Sequence, residues 1–393
     1  MKNPIKKSKF VANLNGLWWL SAKQRICAMT DRYCPYCGKE LPESSPTFCP
    51  YCGKKLTPDI SPEVGRKPKK QKSHLEEYVN SYIGNDRRKG LNWRVLFTGI
   101  LKKHTFEEGE RIFIRGTQDT TPPIDKVSGE WPYPWLYFRV FISLLIAYFL
   151  LYLGCDLFEN INLLPGLIIL GALLVPVSAV ILFYEMNVFC DVSIYMVFHV
   201  FLIGGCAALV LTLVLFSFIS PEKLDYTGAL LTGIIEEVGK AAIIYVFLKR
   251  MNPRKILVGL LIGATVGAGF AAFETAGYSL RILLANGWEP MLSTIFVRNL
   301  LAPGGHIAWG AISGAAIILA CRESYSIDSI VSFRFLRLFL IPVILHFLWD
   351  SPLADIGSDF FLMYIFLIII VWAFVLGLID MGLAEVPSQN ADI

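Results

Sequence analysis

The chain has 393 residues, 54% of them apolar and only 17% charged, where a soluble protein carries about 25% charged residues. Its charge is divided: residues 1–134 hold 24 Lys/Arg and 14 Asp/Glu, while residues 135–393 hold 12 and 18. This excludes a soluble globular enzyme and a secreted disulfide scaffold, and describes a basic N-terminal third followed by a polytopic membrane domain.

Residues 1–28 form an N-terminal extension. Its basic beginning leads into an apolar run too short and too interrupted for a secretory signal, and Met29 is a candidate start. Residues 31–56 contain two copies of CPYCGK, placing Cys34, Cys37, Cys49 and Cys52 as two facing CxxC knuckles. Four thiolates close a tetrahedral site, so the expectation is a zinc ribbon with a structural Zn²⁺. A redox CxxC would need a βαβ setting that is absent here, and four reduced thiols place this end in the cytosol.

Residues 57–73 are a Pro- and Lys-rich linker, suited to a solvated tether or to a strip facing anionic lipid. Residues 74–134 are expected to be a cytosolic juxtamembrane region. Apolar spacing predicts helices near 75–83 and 92–103, and the alternation in "ERIFIRG" predicts a short strand. Tyr133, Trp135 and Tyr137 read as an interfacial aromatic belt. The region carries no nucleic-acid motif, so a protein partner in the cytosol is the expected role of the ribbon.

Residues 135–385 form the membrane domain, followed by a tail at 386–393. Eight spans are expected, near 135–153, 163–183, 195–219, 227–248, 255–280, 293–320, 335–351 and 360–383. The fold class is therefore an all-α polytopic membrane protein with a small zinc-ribbon module. The loops "KRMNPRK" and "RESYSIDSIVSFRFLR" are basic, whereas "GCDLFENIN" and "SPLADIGSD" have no Lys or Arg. Both termini are then cytoplasmic, in the manner of a prokaryotic inner-membrane protein.

With that topology, ionisable residues on four spans reach one band between about 8 and 18 Å below the outer surface, from the helical rise per residue. They are Glu236 and Glu237, Glu274, His306 and His346, with Asp350 nearer the rim. Lys240 lies four residues after Glu236 and serves as a counter-charge on its face; Glu274/Tyr278 and His346/Asp350 repeat the spacing. One such residue alone can be a packing feature, but agreement in depth among five indicates a site. Glu185 falls at the opposite end of its span and reads as an interfacial cap. Gly259, Gly263 and Gly267 share one face, which permits close helix approach.

Glutamates and histidines in a partly wet pocket suit hydrolysis, with a glutamate as general base and imidazole or the Tyr278 hydroxyl at the oxyanion. No Ser or Cys has a nucleophile's partners. A catalytic metal stays open, because Glu and His also bind Zn²⁺, although HExxH is absent. The rival readings are a proton-coupled transporter or channel, against which the chain shows no internal repeat, and a catalytically silent scaffold.

In order on successive hydrophobic segments, "EEVGK" (236–240), "FETAGY" (273–278), "GGHIAWGAISG" (304–314) and "HFLWD" (346–350) resemble the PrsW family of intramembrane proteases, kin to the CAAX-prenyl protease and Abi group. The resemblance covers about residues 140–385. It implies a site-1-type protease that cuts an integral membrane protein, such as an anti-sigma factor, on its extracytoplasmic side, with a role in signalling. It further implies that Glu236 and Glu237 include the water-activating base, that His306 and Glu274 assist, and that His346 and Asp350 lie near the oxyanion. Abi relatives carry EExxxR and a His in the second motif; Lys240, Glu274 and Tyr278 depart from that pattern, so roles in that branch do not transfer.

Overall fold

The computed structural model describes residues 74–85, 90–221, 223–355 and 360–387, all within the larger of two compact units, Lys72–Ile393. The ribbon cysteines, the linker and the N-terminal extension lie outside these residues. The described residues are helical throughout, with no strand.

Two longer helices precede the membrane domain among the described residues, α1 (His74–Ile83) and α2 (Phe106–Phe113), and the helix expected near 92–103 is a single turn, Val95–Thr98. The second occupies the stretch expected to begin a strand. Thr105 accepts from the Glu108 amide while the Glu108 carboxylate accepts from the Thr105 amide, a reciprocal cap that starts a helix. A few alternating residues cannot outweigh that signal, because Ile112 is buried at helical spacing from it. The Thr105 amide, with His104 beside it, holds the Glu108 carboxyl below the usual carboxylate range.

Then come α3 (Leu136–Phe158), α4 (Leu164–Met186), α5 (Ile194–Phe216, with a π-helical stretch at Val200–Gly204), α6 (Tyr226–Met251) and α7 (Ile256–Asn286). They are followed by α8 (Trp288–Leu301), α9 (His306–Ala320), α10 (Phe333–Asp350) and α11 (Phe360–Leu383). Six segments are long and apolar enough to cross a membrane, with α8 and α9 counted as one. The other two expected spans correspond to α6 and α10, which carry Glu236, Glu237 and Lys240, and Arg334, Arg337 and Asp350. Those charges remove them from an apolarity criterion.

The expected sixth span is divided. Pro303, Gly304 and Gly305 cannot sustain a helix, and Ala302–Gly304 form a 3₁₀ turn before the chain restarts at His306. His306 therefore opens a helix instead of lying inside one.

The central element is α7, buried over nearly all of Ile256–Ala272 and touching α4, α5, α6, α8, α9 and α11. Its most extensive partner is α9. A Cβ on Gly259 would stand 2.7 Å from the Gly314 carbonyl oxygen, and one on Gly263 or Gly267 would overlap the carbonyls of Gly310 or His306. Backbone-to-backbone approach of this kind is available only to glycine. Gly263→Val is expected to lower stability by about 3 kcal/mol or more, because neither backbone can give way; a shift in the unfolding midpoint in mixed detergent micelles checks this.

At the other end of α4, Glu185 accepts from the backbone amides of Trp135, Leu136 and Tyr137 at 2.9, 3.0 and 2.9 Å. A carboxylate from one helix thus caps the start of another, where the helix dipole favours it. Trp135, of the expected aromatic belt, stacks on His104 with ring centres 3.9 Å apart. On the other side of the bundle Asn299 of α8 inserts into α4 beside Pro176. Its amide donates to the Gly171 carbonyl at 2.7 Å and its oxygen accepts from the Val175 amide at 3.3 Å, replacing a helical bond.

Candidate active site

Four helices deliver polar side chains to one cluster: α6 with Glu236, Glu237 and Lys240, α7 with Glu274, α9 with His306, and α10 with His346 and Asp350. Gly233, one turn before Glu236, is the point at which α6 and α10 meet. A Cβ there would sit 3.2 Å from the Phe347 amide and 3.5 Å from the His346 Cβ. Gly267 seats the His306 carbonyl in the same manner from α7. The two histidines are thus placed by glycines on the facing helices, and their rings lie 5.3 Å apart, edge to face.

The two adjacent glutamates have different surroundings. Glu237 is fully buried; its Oε1 lies 2.6 Å from Lys240 Nζ and 2.8 Å from His346 Nδ1. Glu236 lines a cavity of about 520 Å³ together with Glu274, Arg298, His306, Trp309 and His346. Its Oε2 has no hydrogen-bond partner among the described residues, and stands 3.8 Å from Lys240 Nζ, 3.9 Å from His306 Nδ1 and 3.8 Å from His346 Nε2. The expected pairing of Lys240 with Glu236 is the looser of its two carboxylate contacts. The cation leans one position further, to Glu237, and rests on the faces of Phe270 and Trp309 at 4.6 and 5.6 Å.

The contacts define ring orientation. Lys240 has only protons to offer, so at 2.7 Å it donates to His306 Nδ1. The ring's proton is then on Nε2, which donates to Glu274 Oε2 at 3.1 Å. In His346, Nδ1 donates to Glu237, and Nε2 is turned toward Asp350 at 3.2 Å and toward Glu236. Each imidazole is held by a carboxylate on one nitrogen and presents the other toward Glu236.

Two further residues belong to this cluster that the sequence reading did not single out. Arg298 of α8 pairs with Glu274, donates to Thr275 Oγ1 at 2.9 Å, and packs over the Tyr278 ring at 4.7 Å. Tyr278 is flanked on its other side by Arg281 at 4.5 Å, so its ring is taken up by two guanidinium groups. Trp309 stacks on His346 with centres 4.4 Å apart, and its buried indole Nε1 has no partner among the described residues. The "PGGH" break marks the turn that brings α8, and with it Arg298, back onto the site; an aromatic one turn after His306 is the corresponding signal for Trp309.

The fold and the cluster define a multi-pass helical membrane protein with a carboxylate–imidazole site enclosed between its helices. Residues 192–376 match the PrsW family of intramembrane metalloproteases, and residues 31–56 match a zinc-ribbon domain. The chain is 28% identical over 210 residues to Protease PrsW of Halalkalibacterium halodurans, an alignment covering 52% of this chain and 92% of that protein. No solved structure matches. These matches make residues 192–376 similar to a PrsW-family protease domain and residues 31–56 similar to a zinc ribbon, and they identify the chain as a membrane protease.

Proposed function

We infer that the chain is an endopeptidase that cuts an integral membrane protein near the extracytoplasmic side, of the kind that releases an anti-sigma factor, by glutamate-activated water. The observation that carries this reading is Glu236: a buried carboxylate oxygen without a hydrogen-bond partner among the described residues, on a cavity wall, among three nitrogens at 3.8–3.9 Å. Contacts of that length are bridged by a water, and a desolvated carboxylate beside it is a general base. Glu274, held by Arg298, keeps His306 oriented, while His346 Nε2, on the cavity wall, is the donor for charge developing on a carbonyl oxygen. The cavity reaches Ser220, Pro221 and Leu224, in the connection before α6. In the orientation the basic loops favour, that connection is extracytoplasmic and both termini are cytoplasmic.

The residues also fit a catalytic zinc. One ligand atom from each of Glu236, His306 and His346 lies within 4.8 Å of the others, the donor set of an open three-ligand site. Glu237 and Glu274 hold the outer nitrogens of the two imidazoles, as carboxylates do behind zinc-binding histidines. Among the described residues, four carboxylates (Glu236, Glu237, Glu274 and Asp350) have Lys240 and Arg298 as their fixed cations, an imbalance that a divalent ion would offset. When bound, the ion would supply Lewis acidity and a more acidic water. Glu237 and Glu274 would orient the histidines as they do here, while His306 Nδ1, which accepts from Lys240, would exchange that bond for the ion and leave Lys240 on Glu237 alone.

The test is cleavage in vesicles containing purified full-length protein and single-span membrane substrates, with product termini mapped by mass spectrometry. Products cut on the extracytoplasmic side are expected, together with loss on zinc chelation, recovery on zinc addition, and zinc still bound by a variant lacking the ribbon cysteines but lost when His306 and His346 are also replaced. Absence of products from the wild type, or cuts confined to the cytoplasmic side, would overturn the reading.

A further inference from the structure

We propose that the face bearing the basic loops holds a second binding site, for a phosphate group, separate from the proteolytic cavity. Four element ends meet there around a cavity of about 650 Å³: the end of α1 with Gly84 and Asn85, the residues after α9, the first turns of α10, and the end of α11. Arg322, Arg334 and Arg337 line it, with Glu385 as its acidic residue.

The arginines are not there to neutralise one another's surroundings. Glu385 is already committed: one oxygen pairs with Arg322 at 2.8 Å and the other accepts from the Ile256 amide at 2.8 Å. Among the described residues neither Arg334 nor Arg337 is in an ion pair. Arg337 is held over the Tyr82 ring at 5.9 Å, and its buried Nε has no hydrogen-bond partner among the described residues. A buried guanidinium N–H left without an acceptor costs free energy, and the guanidinium fork matches an oxyanion with two or three oxygens.

Position adds to the case. Arg334 and Arg337 lie three residues apart on one face near the start of α10 (Phe333–Asp350). Cations near a helix N-terminus oppose the dipole, which favours an anion there. Arg337 is partly buried and Arg334 exposed, and both line an open cavity whose apolar wall is Ile83, Leu338 and Met381. A carboxylate could meet one arginine, but a phosphate group has the oxygens to engage both forks. Its source is either the headgroup of an anionic phospholipid, which basic residues beside membrane-spanning helices attract, or soluble phosphate.

The experiment uses full-length protein in nanodiscs of phosphatidylcholine, with or without phosphatidylglycerol, and separately titrates inorganic phosphate at constant ionic strength. Tryptophan fluorescence reads the melting midpoint. A rise of roughly 2–4 °C is expected for a ligand well above its dissociation constant. It should be lost in Arg334→Gln/Arg337→Gln and kept in Arg250→Gln, an exposed residue that does not line the cavity. A response to phosphatidylglycerol alone assigns the lipid headgroup, and a response to inorganic phosphate assigns the soluble anion. No response to either, or an equal response in the double variant, overturns the proposal. Should the double variant not fold, native mass spectrometry of the wild type from mixed nanodiscs decides for the lipid and inorganic phosphate titration for the soluble ion. Absence of both preferential phosphatidylglycerol retention and a phosphate response is then the negative result.

Discussion

Glu236→Gln is expected to abolish proteolysis while leaving the protein folded. Loss of a general base lowers turnover by about 10²–10⁴-fold. The effect on stability should be small, within about 1 kcal/mol, because Glu236 Oε2 makes no hydrogen bond among the described residues. Glu237→Gln provides the contrast. That carboxylate binds Lys240 at 2.6 Å and His346 at 2.8 Å from a fully buried position, so its loss should destabilise the bundle as well as impair cleavage. Substrate cleavage and unfolding in mixed micelles, measured on both variants, separate the two roles. A Glu236→Gln protein that cleaves at the wild-type rate would remove Glu236 from the mechanism, and one that fails to fold would make it a structural residue.

Lys240→Met is expected to be the most damaging single change in the cluster. The ammonium is fully buried, with Glu237 and His306 as its close partners. Removing one member of a buried ion pair costs about 3–5 kcal/mol, since the remaining charge is left without compensation. Pairing the change with Glu237→Gln should recover part of that loss, because the second substitution removes the stranded charge. An unfolding midpoint for the double variant no higher than for Lys240→Met would show that the two groups are not coupled. Methionine preserves most of the volume between Phe270 and Trp309, so the loss reports on charge more than on packing.

Why these residues were visible in the sequence is a matter of energetics. A carboxylate or ammonium inside an apolar helix is expensive, so Glu236, Glu237, Lys240, Glu274 and His346 stand out against their neighbours, and the topology ties them to one level. What sequence could not carry is direction. Adjacent helical residues diverge by about 100°, and only the packing of α6 against α10 and α7 decides that Glu236 faces the cavity while Glu237 faces Lys240. Arg298 escaped notice for a related reason: in a segment near a membrane edge, an arginine looks like a flanking charge until α8 is seen to fold back. The Ala302–Gly304 break was hidden because residues 293–320 are apolar on average despite Arg298, Asn299 and His306, and hydropathy reports composition, not backbone angles. Conversely, α6 and α10 have the expected helical positions but lack the expected apolarity, because the charges that make the site also dilute its walls.

The glycine seam between α7 and α9 has a mechanical consequence. Backbones in direct contact have no side-chain layer that can repack, so the two helices behave as one stiff body, with Glu274 and His306 fixed to it. The opposite wall, α6 and α10, meets through Gly233 and carries Glu236, Glu237 and His346. The cavity is therefore bounded by an α7–α9 wall joined at three glycine contacts and an α6–α10 wall joined at one, so the imidazole and carboxylate on the α7–α9 side keep the firmer register.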